Sequence, residues 1–497
     1  METKSAEFKQ KAAATIADPQ LQKALEGVYT GFHANRIVAA SETDRWDEQR
    51  DQARAIKAHT IANLDYYLEM LAGNVEKNGG HVFFASTTAE ANDYVLGLAR
   101  SRDVKTVIKG KSMVSEEMGL NHVFEAAGIA AVETDLGEYI IQLAKEPPYH
   151  IIAPAIHKTR AQVADLLAPL SGGQRVEEIA DLTRQAREQL RPVFERADMG
   201  VTGVNFAVAE SGSIVLVTNE GNGRMSTSAP RIHVACMGME KVIPSVSDLS
   251  IFLRILIRSA TGQRISNYVS MINGPRRAGD EDGPDEFHLV IVDNGRRNML
   301  ADPALREALY CIRCGACMNA CPVYRKVGGH SYGWVYPGPI GAVVTPAMTG
   351  LKQAGNLPFA SSLCGACREV CPVRIDLPRM LLELRSQAVG GVKRAKSPDA
   401  PKRQPTPAPK ATVTERAVWT LWRFGMKGRG RFDLGARIGR AVLWPLSRGG
   451  WVRHAPPPLG GWTESRDFPL PASQSFKTRY KRRLRARLPG GRPTGGG

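Results

Sequence analysis

Apolar residues first follow a helical spacing and then form short strand-like runs separated by helical stretches. Residues 1–75 are predicted to be helical, because DEQRDQARAIKAHTIANLDYYLEMLAGNV carries an apolar stripe made by Ile56, Ile61, Leu64 and Leu68. Four strand-like runs follow, HVFFAS, TVIKG, AAVETD and HIIAPAI, with helical stretches such as AEANDYVLGLARS and EEMGLNHVFEAAG between them. Strands interleaved with helices predict an α/β domain with a largely parallel sheet over residues 76–299.

The stretch GVNFAVAESGSIVLVTNEGNGR predicts a β-hairpin, with its turn at residues 211–213. Polar side chains gather around these Gly-rich loops, and ligands of α/β sheets often bind in loops that follow strands. The candidate ligand-binding residues are Glu210, Asn219, Glu220, Arg224 and His233. Backbone N–H groups and Arg224 would suit a carboxylate or phosphate there. The alternative is that these residues only satisfy turns.

Helices bracket a second, smaller region. The stretch ALREALY follows Asp302 and Pro303, and LPRMLLELRSQAVGG runs to a stop at Gly390 and Gly391. These helices predict a separate unit at residues 300–390. Residues 391–497 then form a C-terminal region.

Length and composition are those of an ordinary globular protein, with 497 residues of which 43% are apolar and 23% charged. Apolar runs such as HLVIVD and DLSIFLRILI are short or broken by Arg, and METKSAEFKQKAAATIADPQ lacks the apolar core of a signal peptide. We therefore expect a cytoplasmic protein without a transmembrane helix. Clustered cysteines in a reducing compartment hold metal more often than they form disulfides.

The formal charge of +17 is concentrated in the C-terminal region. Residues 391–497 hold 24 Lys and Arg against 5 Asp and Glu, whereas the preceding 390 residues carry a net charge of −2. The region opens with KSPDAPKRQPTPAPKA, which predicts an extended linker, and holds five of the seven tryptophans. The alternatives are a solvated basic tail, and contact with anionic lipid at the inner face of the membrane or with an acidic partner. We expect no nucleic-acid partner.

Seven of the eight cysteines lie in two motifs, and the eighth, Cys236, is expected to be a buried structural thiol. The run LYCIRCGACMNACPVY has the C-x-x-C-x-x-C-x-x-x-C-P spacing of bacterial ferredoxins, in which the last thiolate ligates the other cluster, and SSLCGACREVCPV also ends in Cys-Pro. A zinc site would explain one run of four thiols, but not seven thiols with two such endings. Two 4Fe-4S clusters are predicted, the first held by Cys311, Cys314, Cys317 and Cys371, and the second by Cys321, Cys364 and Cys367.

The second motif has Ser361 where a complete ferredoxin run would begin with cysteine. The second cluster therefore has three evident thiolate ligands. Its fourth iron would take Ser361 or Ser362, water or a group from a partner, or would be absent and leave a 3Fe-4S cluster.

Two sequences that resemble nucleotide-binding motifs fail on inspection. KGKSM follows a strand, but a Walker A loop needs glycine where this chain has Lys105. No G-x-G-x-x-G sequence opens a βαβ unit, so a Rossmann site for nicotinamide or flavin is not supported.

The chain resembles the lactate utilization protein B family in VTGVNFAVAESGSIVLVTNEGN, GPRRAGDEDGPDEFHLVIVDNGR, CIRCGACMNACPVYRKVGGHSYGWVYPGPIGAVVTP and LCGACREVCPV. The resemblance covers most of residues 20–390 and is loose in the tail. It implies a LUD domain, similar to the sugar-phosphate isomerase and CoA-transferase fold, followed by an α-helical ferredoxin-like two-cluster domain. A three-cysteine second motif is usual in that family. The implied partners are a cysteine-rich iron-sulfur protein, a small LUD-domain protein and an electron acceptor such as a quinone.

The resemblance implies an electron-transfer subunit of a complex that oxidises L-lactate to pyruvate without NAD. No catalytic residue is identified, and whether this chain is itself an enzyme stays open. One alternative is catalysis by an open iron of the second cluster, acting as a Lewis acid on a hydroxy acid. Another is an iron-sulfur redox sensor that acts through the basic tail.

Overall fold

The computed structural model describes residues 3–266, 268–389, 413–456, 460–464 and 466–487. The chain divides into two compact units, residues 1–409 and residues 410–497. The first unit holds the predicted sheet and all the cysteines.

Five α-helices precede the first strand, as the helical spacing predicts. They are α1 (Phe8–Ala17), α2 (Pro19–Val28), α3 (Ala34–Ser41), α4 (Trp46–Ala62) and α5 (Leu64–Lys77). The stretch DEQRDQARAIKAHTIANLDYYLEMLAGNV forms two helices, α4 and α5, instead of one. They are separate because the backbone of Asn63 leaves the helical conformation between them. The Asn63 side chain donates instead to the His59 carbonyl at 2.8 Å, a local bond of the kind that competes with helix continuation.

A six-stranded parallel sheet forms the centre of the first unit, which confirms the α/β prediction. Its strands lie in the order β1-β10-β7-β4-β2-β3, and every neighbouring pair is parallel. Their bounds are β1 (His81–Ala85), β2 (Thr106–Lys109), β3 (Ala130–Glu133), β4 (Met199–Gly203), β7 (Ile232–Gly238) and β10 (Glu286–Val292). Strands β4, β7 and β10 are buried almost throughout, which is typical of strands that are covered on both faces.

Further helices follow β1 along the chain, and several of them pack on this sheet. Their bounds are α6 (Thr88–Ser101), α7 (Met113–Met118), α8 (Leu120–Ala126), α9 (Leu136–Leu143), α10 (Arg160–Leu167), α11 (Ile179–Glu195), α12 (Asn222–Ser228), α13 (Val246–Ala260) and α14 (Arg296–Ala301). The predicted helical stretch EEMGLNHVFEAAG is divided between α7 and α8 at Gly119, which has a φ of +65°.

A second, four-stranded sheet contains the predicted hairpin. Its order is β8-β5-β6-β9, with bounds β5 (Phe206–Val208), β6 (Ser213–Thr218), β8 (Val242–Ile243) and β9 (Tyr268–Ile272). Strands β5 and β6 pair antiparallel, which confirms the hairpin. Its turn requires Gly212, since φ is +68° and an added Cβ would lie 2.6 Å from the Asn74 backbone.

The predicted strand HIIAPAI is wrong, because residues 150–156 form a loop. The buried His150 ring organises this loop. Its Nδ1 accepts from the N–H groups of Ile152 and Ala153, and its Nε2 bonds the Asn319 side chain at 2.9 Å. The apolar residues of this loop serve contacts with the cysteine-bearing region and a cavity rather than a sheet.

The cysteine-bearing region consists of short helices and loops. Its α-helices are α15 (Ala316–Asn319), α16 (Tyr324–Val327), α17 (Gly338–Thr349), α18 (Leu351–Ala354), α19 (Ala366–Glu369) and α20 (Leu377–Ala388). Three 3-10 turns join them, at Arg306–Tyr310, His330–Tyr332 and Leu357–Phe359.

The second unit contains the basic tail, whereas the predicted linker KSPDAPKRQPTPAPKA lies outside the described residues. Its elements are α21 (Val413–Met426), α22 (Arg429–Leu443), β11 (Ser447–Arg448), β12 (Trp451–Val452), α23 (Gly460–Thr463), β13 (Phe468–Pro469) and α24 (Phe476–Arg487). Across the described ranges, no helix is long and apolar enough to cross a membrane.

Candidate iron-sulfur centre and the cavity beside it

The two cysteine loops have the same backbone conformation. Arg313 and Leu363, which precede the second sulfur position of each loop, have φ of 60° and 56°, and a glycine with positive φ follows in each. A short helix then carries the next cysteine, α15 in the first loop and α19 in the second. Left-handed backbone is unfavourable for side chains such as Arg and Leu, so each loop is held in this form by its surroundings.

Ser361 occupies the position in the second loop that Cys311 occupies in the first. The N–H of Arg313 donates to Sγ of Cys311 at 3.4 Å, and the N–H of Leu363 donates to Oγ of Ser361 at 3.1 Å. The serine oxygen therefore makes the same local bond as the cysteine sulfur.

The cysteine sulfurs lie in two adjacent groups. Burial, with the charges of Cys371 and Cys311, raises the pKa of Cys314 to about 12. Burial, with Cys321 and Cys364, raises the pKa of Cys367 to about 12. By their mutual charge effects, the first sulfur group is Cys311, Cys314, Cys317 and Cys371, and the second sulfur group is Cys321, Cys364 and Cys367. The two groups are adjacent, because Cys367 also acts on Cys317.

This donor set fits iron-sulfur clusters. Buried thiols with raised pKa values keep their protons near neutral pH, so metal binding would release those protons. Backbone N–H groups already point at the sulfurs, from Tyr324 to Cys321 at 3.4 Å and from Ile375 to Cys371 at 3.3 Å. Such bonds stabilise thiolate ligands and raise cluster potentials.

Arginines of the N-terminal helices hold the loop that carries Cys371. Arg36 donates to the Val370 carbonyl at 2.8 Å, and Arg50 donates through Nε to the Cys371 carbonyl at 3.1 Å. Both arginines are buried, at 7% exposure. The predicted helical region thus supplies positive charge to the first sulfur group as well as packing.

The two sulfur groups differ in exposure. In the first group Cys314 and Cys371 are buried and the other two cysteines are half-buried. In the second group Cys321 and Cys367 are buried and Cys364 is exposed. The second group therefore reaches the surface at Cys364.

A cavity of about 560 Å³ lies beside the first sulfur group, and Cys314 forms part of its wall. Four neighbouring strands of the main sheet, β3, β2, β4 and β7, end at this cavity. The loops after them contribute Lys111, Asp135, Asn205 and Lys241. Ligands of open α/β sheets bind outside the carboxyl ends of the strands, which is where this cavity lies.

A buried ion-pair network joins the main sheet to the first cysteine loop. Arg296 donates to Glu240 at 2.7 Å and to Glu117 at 2.9 Å, and Arg313 donates to Glu240 at 3.3 Å. The hydroxyl of Tyr336 donates to Glu117 at 2.7 Å. Burial raises the pKa of Glu240, but Arg296 and Arg313 outweigh it and hold the pKa at about 2. Glu240 is therefore ionised at neutral pH.

The structure brings two of the five candidate ligand-binding residues to the cavity, Asn219 and Glu220. Glu210 accepts from the first backbone N–H of α13 at 2.7 Å, and Arg224 lies over the ring of a β9 tyrosine. His233 is buried within β7 and bonds a threonine of β4 at 2.8 Å. Their role as a ligand site stays a prediction.

Sequence reasoning missed three cavity cations, Lys111, Lys241 and Arg313. Lys111 lies in KGKSM, the stretch set aside as a failed phosphate loop, yet it follows β2 at the ligand-binding edge of the sheet. Lys241 follows β7 in the same way. Of the three, only Lys111 carried a signal in the sequence, because it follows the predicted strand TVIKG.

Three family models match the chain. They are the LUD domain at residues 68–292, the 4Fe-4S dicluster domain at 307–375, and the model described as lactate utilisation protein B, C-terminal, at 383–485. The third match extends the similarity through the basic tail, where the sequence analysis expected only a loose resemblance. The domain boundaries at residues 75, 299 and 390 stay predictions.

Similar proteins named lactate utilization protein B match nearly the full chain. The one from Geobacillus sp. strain WCH70 is 42% identical over 97% of this chain and 98% of its own length. Those from Shouchella clausii and Geobacillus thermodenitrificans are 43% and 42% identical, over 96% and 99% of this chain and 97% and 100% of their own lengths. A crystal structure of a duf162 family protein from Deinococcus radiodurans matches 46% of this chain and 98% of its own, at 12% identity and a TM-score of 0.25.

Proposed function

Because the chain belongs to the lactate utilization protein B family, we propose that it is an iron-sulfur electron-transfer subunit in lactate utilization. The observation that carries this proposal is the grouping of seven sulfurs within the matched dicluster domain. When bound, iron-sulfur clusters supply one-electron oxidation and reduction.

We assign the first sulfur group to one cluster and the second sulfur group to the other. Backbone N–H groups and the buried arginines of α3 and α4 would hold and stabilise the thiolates. The exposed Cys364 would face the partner that exchanges electrons. This arrangement supports transfer between a buried and a surface site, with the oxidation of L-lactate to pyruvate taking place in the assembled complex.

The test is electron paramagnetic resonance on the full chain purified anaerobically, as isolated and after dithionite, together with iron and acid-labile sulfide analysis. We expect reduced-state signals from two interacting iron-sulfur clusters. A chain that binds zinc and no iron after reconstitution would contradict the proposal.

The fourth ligand of the second cluster is proposed to be Ser361, because its oxygen makes the bond that Cys311 makes in the first loop. Replacing Ser361 with cysteine should keep the iron content and shift the reduction potential of the second cluster, since the type of ligand sets that potential. Replacing it with alanine should convert the second cluster to the 3Fe-4S form.

Redox-monitored resonance spectra of the two Ser361 variants check this assignment. Ser362→Ala is the matched control, because Ser362 is the neighbouring, exposed serine. If Ser361→Ala and Ser362→Ala both leave the spectrum and potential of the second cluster unchanged, Ser361 is not a ligand.

The expected partners are a cysteine-rich iron-sulfur protein, a small LUD-domain protein and an acceptor such as a quinone. The comparisons do not favour a Lewis-acid role for the second cluster or a redox sensor. Both alternatives lack support in the names or domains of the relatives.

The basic tail is proposed to contact an anionic lipid surface. In α22, Leu434, Ile438 and Val442 are spaced four residues apart and are 58%, 56% and 63% exposed, in a region rich in arginine. Apolar side chains beside basic residues are typical of helices that lie on anionic membranes.

Vesicle flotation tests this contact. The full chain should float with vesicles containing roughly one-third phosphatidylglycerol, and much less with phosphatidylcholine alone or at high salt. Ile438→Ser should weaken flotation, whereas Leu382→Ser, at a residue 54% exposed in the first unit, should not. Binding to neither vesicle would favour an acidic partner protein instead.

A further inference from the structure

The cavity beside the first sulfur group is lined by three cations and by three carboxylates, those of Asp135, Glu220 and Glu240. Lys111, Lys241 and Arg313 all line it, from three different loops. Lys241 is 8% exposed, so its ammonium group is largely withdrawn from solvent. No carboxylate of a described residue forms an ion pair with either lysine within 4.0 Å.

Arg313 has an unsatisfied donor at this wall. Its side chain is 9% exposed, its Nη2 donates to Glu240 at 3.3 Å, and its guanidinium lies 4.5 Å from the centre of the Tyr336 ring. Its Nη1 is buried and has no hydrogen-bond partner among the described residues. Buried charged donors without a partner are costly, which favours an acceptor arriving from outside the chain.

The rest of the cavity limits what that acceptor can be. Apolar side chains including Ile152, Leu216 and Leu256 line it, so part of the ligand is hydrocarbon. Asp135 and Glu220 also line it, and their charges oppose a doubly charged anion such as phosphate. The same oxygens can accept a hydrogen bond from a ligand hydroxyl group. The volume of about 560 Å³ is within the usual range for small-molecule sites.

We propose that this cavity binds a small 2-hydroxy monocarboxylate. The cations Lys111, Lys241 and Arg313 would hold its carboxylate, and its hydroxyl group would face Asp135 or Glu220. The inference rests on the proposed function, since lactate belongs to this chemical class. It places the substrate on this chain, against the wall formed by Cys314 of the first sulfur group. The loops of the sheet would then bind the donor of electrons, and the cysteine loops would hold the centre that accepts them.

The competing explanation is that the cations only balance the negative charge of the iron-sulfur centre. That explanation requires no affinity for an organic acid. It also predicts that removing a cation changes the reduction potential and nothing else.

The experiment is calorimetric titration of the full, iron-loaded chain with L-lactate and with pyruvate under anaerobic conditions. Propionate, which lacks the hydroxyl group, 2-hydroxybutyrate and inorganic phosphate serve as comparison ligands. We expect saturable binding of lactate and 2-hydroxybutyrate, weaker binding of propionate, and no competition from phosphate. Lys241→Gln and Lys111→Gln should each weaken lactate binding about tenfold or more, because each removes a charged hydrogen-bond donor.

The matched control is Lys352→Gln, because Lys352 is exposed and is absent from the cavity wall. It should bind lactate as the unchanged chain does. Iron content and resonance spectra of all variants show whether a loss of binding reflects a loss of the centre.

A measurement on the unchanged chain guards against variants that fail to fold. Lactate should protect Lys111 and Lys241, and not Lys352, from an amine-reactive reagent mapped by mass spectrometry. No saturable lactate binding by an iron-loaded chain, or equal binding by the cavity variants and the control, overturns the inference and leaves the proposed function intact. A chain without iron-sulfur spectra would instead count against the proposed function.

Discussion

Replacing Cys371 with alanine should remove about half of the bound iron, and the iron lost should be that of the first cluster. Cys371 lies in the second cysteine motif, yet its sulfur groups with those of Cys311 and Cys314 from the first motif. Cys371 is buried, so water does not readily replace its thiolate as a ligand. We therefore expect loss of the cluster rather than a change of ligand.

Double variants decide between crossed and sequential ligation. With crossed ligation, Cys371→Ala combined with Cys314→Ala should lose no more iron than either single variant, because both remove the same cluster. Cys371→Ala combined with Cys367→Ala should lose both clusters. Sequential ligation, one cluster for each motif, predicts the reverse for the two pairs.

Iron and sulfide analysis and resonance spectroscopy of these variants provide the measurement. Cys236→Ala is the matched control, since Cys236 is a fully buried thiol in β7 outside both sulfur groups. It should keep all the iron. Loss of more iron from the Cys371/Cys314 pair than from the Cys371/Cys367 pair would refute the crossed assignment.

The local sequence predicts the strands toward the two ends of the main sheet better than the strands between them. Strands β1, β2 and β3 and the hairpin are evident from short apolar runs and turn residues. The central strands β4, β7 and β10 are buried along nearly their whole length. A strand covered on both faces lacks the polar alternation that distinguishes it from a buried helix.

The wrong strand at residues 150–156 has a related cause. Ile151, Ile152 and Ile156 give the segment the composition of a strand, but they line the cavity or pack beside it. Its backbone bonds go to the His150 ring and within the loop, which a periodicity argument does not detect. Apolar composition alone shows that a segment is buried and not which element it forms.

The cysteine motifs of the candidate site can be predicted from the sequence, whereas the cavity cannot. Cysteine spacing is a local property, so the sequence identifies the sulfurs and the missing cysteine at Ser361. The cavity is made by residues far apart in the chain, such as Lys111, Lys241 and Arg313, which only the strand order brings together. No spacing rule joins them.

The second large effect is expected at Arg296, which is fully buried between Glu117 and Glu240. Replacing Arg296 with methionine removes the cation that Glu117 and Glu240 share, and leaves Glu117 with no ion-pair partner among the described residues. Breaking a buried ion pair in this way costs about 3–5 kcal/mol of folding free energy. Because Glu240 also contacts Arg313, the first cysteine loop should loosen and iron should be released at lower urea concentration.

The adjacent residue provides a matched control for this effect. Arg297 pairs with Asp293 and its side chain is 68% exposed, so Arg297→Met should cost about 1 kcal/mol or less. Anaerobic urea unfolding, followed by circular dichroism and by the visible absorbance of the centre, compares the two variants. Similar midpoints for both variants would show that the network contributes little.

The pH dependence of unfolding distinguishes unpaired buried charge from lost packing as the cause of the lower stability of Arg296→Met. In the unchanged chain the pKa of Glu240 is about 2, below its unfolded value, so the carboxylate stabilises the fold above that unfolded pKa and the contribution fades as the pH falls toward 2. Without Arg296 the pKa of Glu240 should rise above the unfolded value, so the variant is penalised most at neutral pH. The defect of Arg296→Met should therefore shrink between about pH 7.5 and pH 5.5 as Glu240 takes up a proton. A defect due only to lost packing would stay constant over that range.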